Sequence, residues 1–146
     1  MNKWIVSDDD FKQAFSTFEI KNKSAIRYIL KMIDSSISLV APEMKIIDDN
    51  AIVNIEHILP VDYSLWKDVT IDFHDEYLWR LGNLSLLNSE FNKKCSNYPF
   101  EQKKEIYKQS SIEITKKILN YNNWTEKEIN ERQKYFTNFA VSIWKK

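Results

Sequence analysis

The sequence is poor in residues that break a helix. One glycine, Gly82, and three prolines stand among 146 residues, so most of the chain is free to be helical. A single cysteine, Cys95, excludes an internal disulfide and fits a reducing compartment. Neither sign of charge is in excess: 21 basic residues balance 21 acidic ones. That is a weak electrostatic footprint for a protein that binds nucleic acid unaided, because phosphate neutralisation supplies most non-specific affinity. No apolar run approaches the roughly 20 residues that a membrane span needs. The start of the chain turns acidic at Asp8, Asp9 and Asp10, where a secretory peptide is apolar. The cytoplasm is the expected location. Repeats, low-complexity linkers and domain boundaries are also missing, which predicts one domain over 1–146. Apolar residues at 43% and aromatics at 14% exclude a disordered chain and are enough for a core.

The pattern predicts mostly helices. Ser7 is placed to cap a first helix, whose apolar stripe is Phe11, Ala14, Phe15 and Phe18. A second helix is expected over 24–36, with Ile26, Ile29, Leu30, Ile33 and Ile37 inward and Arg27 and Lys31 on the wet side. A break follows at Ala41-Pro42 and a turn at Asp48-Asp49-Asn50. Residues 51–57 read as a strand, stopped by Pro60. Residues 61–74 read as a loop anchored by Leu65-Trp66, and 76–81 as a short helix. Gly82 marks a reversal that needs a left-handed dihedral or a close approach. Leu84 to Leu87 then return as a strand, and Asn88 or Ser89 caps a helix carrying Phe91, Asn92 and Cys95. Pro99 suits the first turn of the next helix. Another apolar stretch runs through Ile112, Ile114, Ile118 and Leu119. Thr125-Glu126-Lys127-Glu128 is a capping box that opens a last helix, with Ile129, Phe136, Phe139, Ala140 and Ile143 on one side.

Two stretches carry chemistry. Ile55-Glu56-His57-Ile58-Leu59-Pro60 ends the first strand with an acid beside a histidine. Leu81-Gly82-Asn83-Leu84-Ser85-Leu86-Leu87 opens the second, and Asn92 follows Asn83 by nine residues. Phosphodiester hydrolysis needs a base for water, stabilisation of charge on phosphate and leaving oxygen, and alignment of the parts. His57 suits the base, since an imidazole titrates near neutral pH. Glu56 and Asn92 offer hard oxygen ligands to Mg²⁺ or Mn²⁺, leaving coordination positions for water and phosphate. Asn83 belongs with His57 as the residue that ties down the loop aiming it. Lys93 and Lys94 follow Asn92 as candidate phosphate contacts. Adjacent strand residues point to opposite faces, so Glu56 and His57 share one site only if the strand ends or twists there.

These residues resemble the HNH (ββα-metal) nuclease superfamily. With Ser96-Asn97-Tyr98-Pro99-Phe100…Lys103 added, they look more closely like the C-terminal domain of GmrSD-type modification-dependent restriction endonucleases. Ala25-Ile26-Arg27-Tyr28-Ile29-Leu30 upstream, and Trp124-Thr125-Glu126…Ile129…Arg132 and Ile143-Trp144 downstream, extend the similarity over most of the chain. The resemblance implies a fold that is mainly α with a small β-hairpin, a helical domain enclosing a ββα-metal motif at about 51–95, with 1–50 and 97–146 around it. It implies His57 as general base, Asn83 as the brace of its loop, and Glu56 and Asn92 as ligands of a divalent metal. Asn97 and Lys103 match recurrent positions and join the candidate substrate contacts. Cleavage would leave a 5′-phosphate and a 3′-hydroxyl. Val61 stands where the family often has glutamine, which puts a loop or substrate contact in question. The family places this domain after a ParB-like nucleotide-hydrolysing domain, so a partner domain or subunit is expected beside DNA.

Blander readings exist for each feature. The helical fold is also compatible with a non-catalytic docking module, or with an RNA-directed nuclease. His74, between Phe73 and Asp75, is expected to be exposed and non-catalytic. Cys95 lacks the marks of an activated thiolate. The lysines of 93–104 also fit a solvated helix face. The tryptophans are expected to be core anchors, with Trp66 and Trp79 close enough in sequence to the site for stacking.

Overall fold

The computed structural model describes residues 7–38 and 52–144. The expectations at 41–42 and 48–50, and the start of the strand at Ala51, lie outside them. Helix α1 (Asp8–Phe15) is capped as its sequence predicts: Ser7 Oγ accepts from Asp10 N at 3.1 Å. Its aromatic stripe packs sideways, Phe15 stacking on Phe18 and on Trp144. Helix α2 (Lys23–Ser38) starts at Asn22, whose Oδ1 accepts from Ala25 N at 2.9 Å. Ile26, Leu30 and Ile33 recur at helical spacing and are fully buried. Arg27 departs from expectation. It is half-buried, and its Nη1 is shut away from solvent.

Strands β1 (Val53–His57) and β2 (Leu84–Asn88) pair antiparallel, with Glu56 opposite Ser85 and His57 opposite Leu84. The pair has apolar packing on both faces, which is why β2 reads Leu-Ser-Leu-Leu and not as a strict alternation. Val53, Leu84 and Leu86 join Ile26, Leu30, Ile33 and Phe136 in one core cluster. Leu87 joins Cys95, Phe100, Tyr107, Ile118 and Ile129 in a second. Helix α4 (Ser89–Cys95) follows β2 directly, with Asn88 Oδ1 capping Glu90 N at 2.9 Å. β1, β2 and α4 therefore form a ββα unit, and the described residues around it are mainly helical.

The connection between the strands holds helix α3 (Ile71–Tyr77). The short helix expected over 76–81 starts earlier because Thr70 Oγ1 caps Phe73 N at 3.1 Å. Leu65 is exposed and anchors nothing. Trp66 is the anchor, donating Nε1 to Tyr98 O at 2.8 Å. Helix α5 (Phe100–Tyr107) has Pro99 at its cap. Helix α6 (Glu113–Lys116) continues into a 3₁₀ turn at Lys117–Asn120. Helix α7 (Glu126–Trp144) begins at the expected box, where Glu128 Oε1 accepts from Thr125 N at 2.8 Å.

Gly82 sits in a 3₁₀ turn, Leu81–Asn83, and no glycine has a positive φ. Of the two needs foreseen for it, the close approach is the one met. A Cβ there would stand 2.3 Å from Ile129 O and 3.0 Å from Gln133 Cβ, both on α7. Gln133 Oε1 accepts from Gly82 N at 3.0 Å, and Arg132 Nη1 donates to Gly82 O at 2.8 Å. Both backbone groups are thus held by the helix that a side chain would push away. Gly82→Ala is expected to destabilise the chain by about 1–3 kcal/mol, the usual cost of overpacking, measured as a lower urea midpoint. An unshifted midpoint would mean that α7 yields freely at this contact.

Candidate active site

Strand alternation sends Glu56 and His57 to opposite faces of β1. Glu56 turns toward α4 and α5 and is 3% exposed. Its Oε2 accepts from Lys103 Nζ at 2.9 Å and from Tyr107 OH at 2.5 Å. Its Oε1 accepts from Asn92 Nδ2 at 2.9 Å. Burial raises the carboxyl pKa, and the ammonium of Lys103, the phenol and the amide draw it back part of the way. Burial, with Glu56 alongside, lifts the Tyr107 phenol well above its usual value, so it stays a proton donor.

His57 turns the other way. Its ring meets Trp79 edge to face, with centroids 4.6 Å apart. Its Nε2 is shielded from solvent and has no hydrogen-bond partner. Burial, followed by the positive charges of Lys103 and Lys23 and by His74, lowers its pKa to about 4. The imidazole is therefore unprotonated at neutral pH. The strand ends at His57, and the chain turns through Ile58, Leu59 and Pro60. Although the two side chains diverge, Glu56 and His57 both line one open cleft of about 360 Å³ with Asn92, Asp62, Ser96 and Asn97. A larger cavity of about 700 Å³, between Trp66, Phe73, Phe100 and Trp124, includes none of the three residues named first.

Asn83 fixes the turn after His57. It has no exposure, and its Oδ1 accepts from Leu59 N at 2.8 Å and from Trp124 Nε1 at 2.9 Å. Its Nδ2 donates to Leu59 O and Leu78 O, each at 3.0 Å. Every lone pair and proton of the amide is used on the protein, so Asn83 meets no substrate. Asn92 lies on α4 beside the carboxylate. Glu56 Oε1, which accepts only from Asn92 Nδ2, and the Asn92 amide oxygen are the hard oxygen atoms of this pair that a hydrated Mg²⁺ or Mn²⁺ would use. Among the described residues no group of three or more His, Cys, Asp or Glu side chains gathers as a metal cage.

The expected substrate contacts divide. Lys93 and Lys94 are exposed on α4, Lys93 lying 3.7 Å from Glu90 and Lys94 lying over the Phe91 ring. Asn97 lines the cleft and donates Nδ2 to Asp62 at 3.1 Å. Lys103 has no exposure; its ammonium donates to Glu56 and, at 2.8 Å, to His57 O. It supports the site from within and offers no charge to a phosphate outside. His74 is buried too, its Nε2 on Pro60 O at 2.9 Å and its ring against Tyr63. The exposure expected for it is absent because α3 begins early enough to turn it inward. Cys95 is buried, and burial and Glu56 push its thiol up to about 12, a poor nucleophile.

Tyr107, on Glu56, and Trp124, on Asn83 and expected with the other tryptophans to be a core anchor, are further parts of the site. Tyr107 follows Lys103 by four residues on α5, the helical spacing that places both on Glu56.

The chain matches a family model described as GmrSD restriction endonucleases, C-terminal domain, over residues 5–139. The chain belongs to this family. A comparison with curated proteins gives no match. Membership brings a restriction endonuclease role to the domain in general terms, and with it an N-terminal partner domain and DNA as substrate. No helix among the described residues is long and apolar enough to cross a membrane.

The lowered pKa of His57 has a consequence for stability. Between its ordinary value of 6.5 and about 4, the unfolded chain takes up a proton that the folded chain refuses. Stability therefore falls as pH falls through that window, by on the order of 3 kcal/mol in total. The raised Glu56 acts with the opposite sign, since there the folded state holds the proton more tightly. Replacing His57 with Gln should flatten the urea midpoint against pH between 7 and about 4. A variant with the parent's slope would show that His57 takes up its proton equally well folded and unfolded.

Proposed function

We propose that the chain is a metal-dependent endonuclease of the HNH type, acting on DNA in restriction or phage defence, with His57 as general base. The observation that carries this reading is the meeting of Glu56, His57 and Asn92 at one open cleft where β1 ends beside α4. Glu56 Oε1 and the Asn92 amide would hold a divalent ion. Bound there, such an ion supplies positive charge to a phosphate oxygen and to the leaving oxygen. The unprotonated imidazole of His57 accepts the proton of the attacking water. Asn83 keeps Leu59 in place, so the strand end bearing His57 does not drift. Lys103 holds the His57 carbonyl and one Glu56 oxygen together, which fixes the acid and the base relative to each other. Asn97 lines the cleft, and Lys93 and Lys94 follow Asn92 on α4, as candidate contacts to the DNA backbone. A ParB-like nucleotide-hydrolysing domain is the partner that this reading places on the N-terminal side.

One observation favours a second reading, a docking module without activity. Glu56 is already satisfied by three protein donors, as a purely structural carboxylate would be. A plasmid-nicking assay with Mg²⁺ or Mn²⁺, controlled with EDTA, separates the two. Metal-dependent nicking that His57→Ala lowers by about 10²- to 10⁴-fold is expected for a general base. Nicking that survives His57→Ala unchanged would remove that role, and a folded parent without nicking, alone and with its partner domain, would leave the docking reading.

A further inference from the structure

Buried polar atoms without partners are rare in folded proteins and ask for an explanation. Among the described residues three side-chain atoms qualify: Arg27 Nη1, Asp34 Oδ2 and His57 Nε2. Two of the three belong to residues that line a single cavity of about 380 Å³. Its walls include Lys23 and Arg27 from α2, Asn54 and His57 from β1, Trp79, and Asn92 from α4. Among the described residues no acidic side chain lines it. Lys23 and Arg27 stand one helical turn apart, on the same face of α2. Neither is paired with a carboxylate among the described residues.

This cavity and the Glu56 cleft meet at His57 and Asn92, which line both. The polarity changes across that junction. Glu56 and Asp62 lie on one side, and Lys23 and Arg27 on the other. An anion is the ligand that a lysine, an arginine and two amides recognise together, and the planar guanidinium fork matches phosphate oxygens. A solvated helix face does not account for Arg27, because the unpartnered nitrogen is shielded from water.

We propose that Lys23 and Arg27 form a binding site for a DNA backbone phosphate next to the one that His57 faces. The proposal rests on the nuclease reading above and adds to it the path of the strand, from the acidic cleft across His57 to the basic face of α2. Trp79 walls this path beside the imidazole.

The test is binding without cleavage. The full chain is titrated with a short fluorescein-labelled DNA duplex in EDTA over a series of salt concentrations, with thermal melts to verify folding. Arg27→Gln and Lys23→Gln are each expected to lower the slope of log K against log salt by about 1, the effect of losing one phosphate contact. His57→Ala is expected to keep the parent's slope. Lys23 is exposed, so its variant folds even if the Arg27 variant does not. Parental slopes in both variants overturn the proposal, as does a parent with no salt-dependent binding. Slopes lost while the parent fails to nick DNA leave the phosphate site standing and remove the nuclease reading. Nicking with unaltered slopes does the reverse.

Discussion

A carboxylate almost shut off from water must be surrounded by donors, and Glu56 imposes that condition on the centre of the molecule. An uncompensated buried charge costs several kcal/mol, and removing one partner of a buried ion pair typically costs about 3–5 kcal/mol. Three donors meet the condition, and they come from two different helices: Asn92 from α4, and Lys103 and Tyr107 from α5. Satisfying one side chain thus fixes both helices against β1. The same lysine reaches the carbonyl of His57, so the neutralising charge also secures the end of the strand. With Glu56 committed to one face, alternation leaves His57 on the other, where its shielded Nε2 has no hydrogen-bond partner. The divergence that makes adjacent residues awkward partners is resolved by position. The strand stops there, and one cleft opens past its end onto both.

A second polar framework holds the far side of the ββα unit. Gln133 and Arg132 are adjacent on α7 and both are buried. The Gln133 amide accepts from Gly82 N and Arg80 Nε and donates to Phe15 O and Phe18 O. Arg132 donates to Gly82 O, Leu84 O, Ser85 Oγ and Ile114 O. Burial lowers its pKa to about 10, which still leaves it charged at neutral pH. A guanidinium with no carboxylate paired to it among the described residues is tolerable here because its fork meets four oxygens. The framework converges on the turn that carries Asn83, whose amide in turn holds Leu59. Helix α7 therefore holds the turn that carries Asn83, and Asn83 in turn holds the chain two residues after His57.

The helices other than α3, the two strands, and the Ser7, Asn88 and Thr125-Glu128 caps were legible because each depends on local spacing or on a side chain within three residues. The convergence of residues 56, 57 and 92 was legible only as a motif, since their contacts span more than thirty positions. What stayed hidden depended on direction. Lys103 and Arg27 read as surface charges, and nothing local says that a lysine points into a core where a buried carboxylate waits. His74 depended on where α3 begins, and Thr70, a cap with no glutamate three residues on, was a faint marker. Gly82 was recognised as special, but whether dihedral or space made it so rested on Ile129, forty-seven residues away.

Zero net charge looks unfavourable for binding DNA only while charges are counted without regard to place. Lys103 is internal and neutralises Glu56, so neither contributes to the outer field. Lys108, Lys116 and Lys93 each lie within ion-pair reach of a glutamate three residues earlier on their own helices, which cancels much of their reach. The charges left without such neighbours matter more than the total. Lys23 and Arg27 are among them, and they face a cavity shared with His57 and Asn92. On the nuclease reading proposed above, a domain built this way would engage a backbone through a few placed cations and not through a general positive surface.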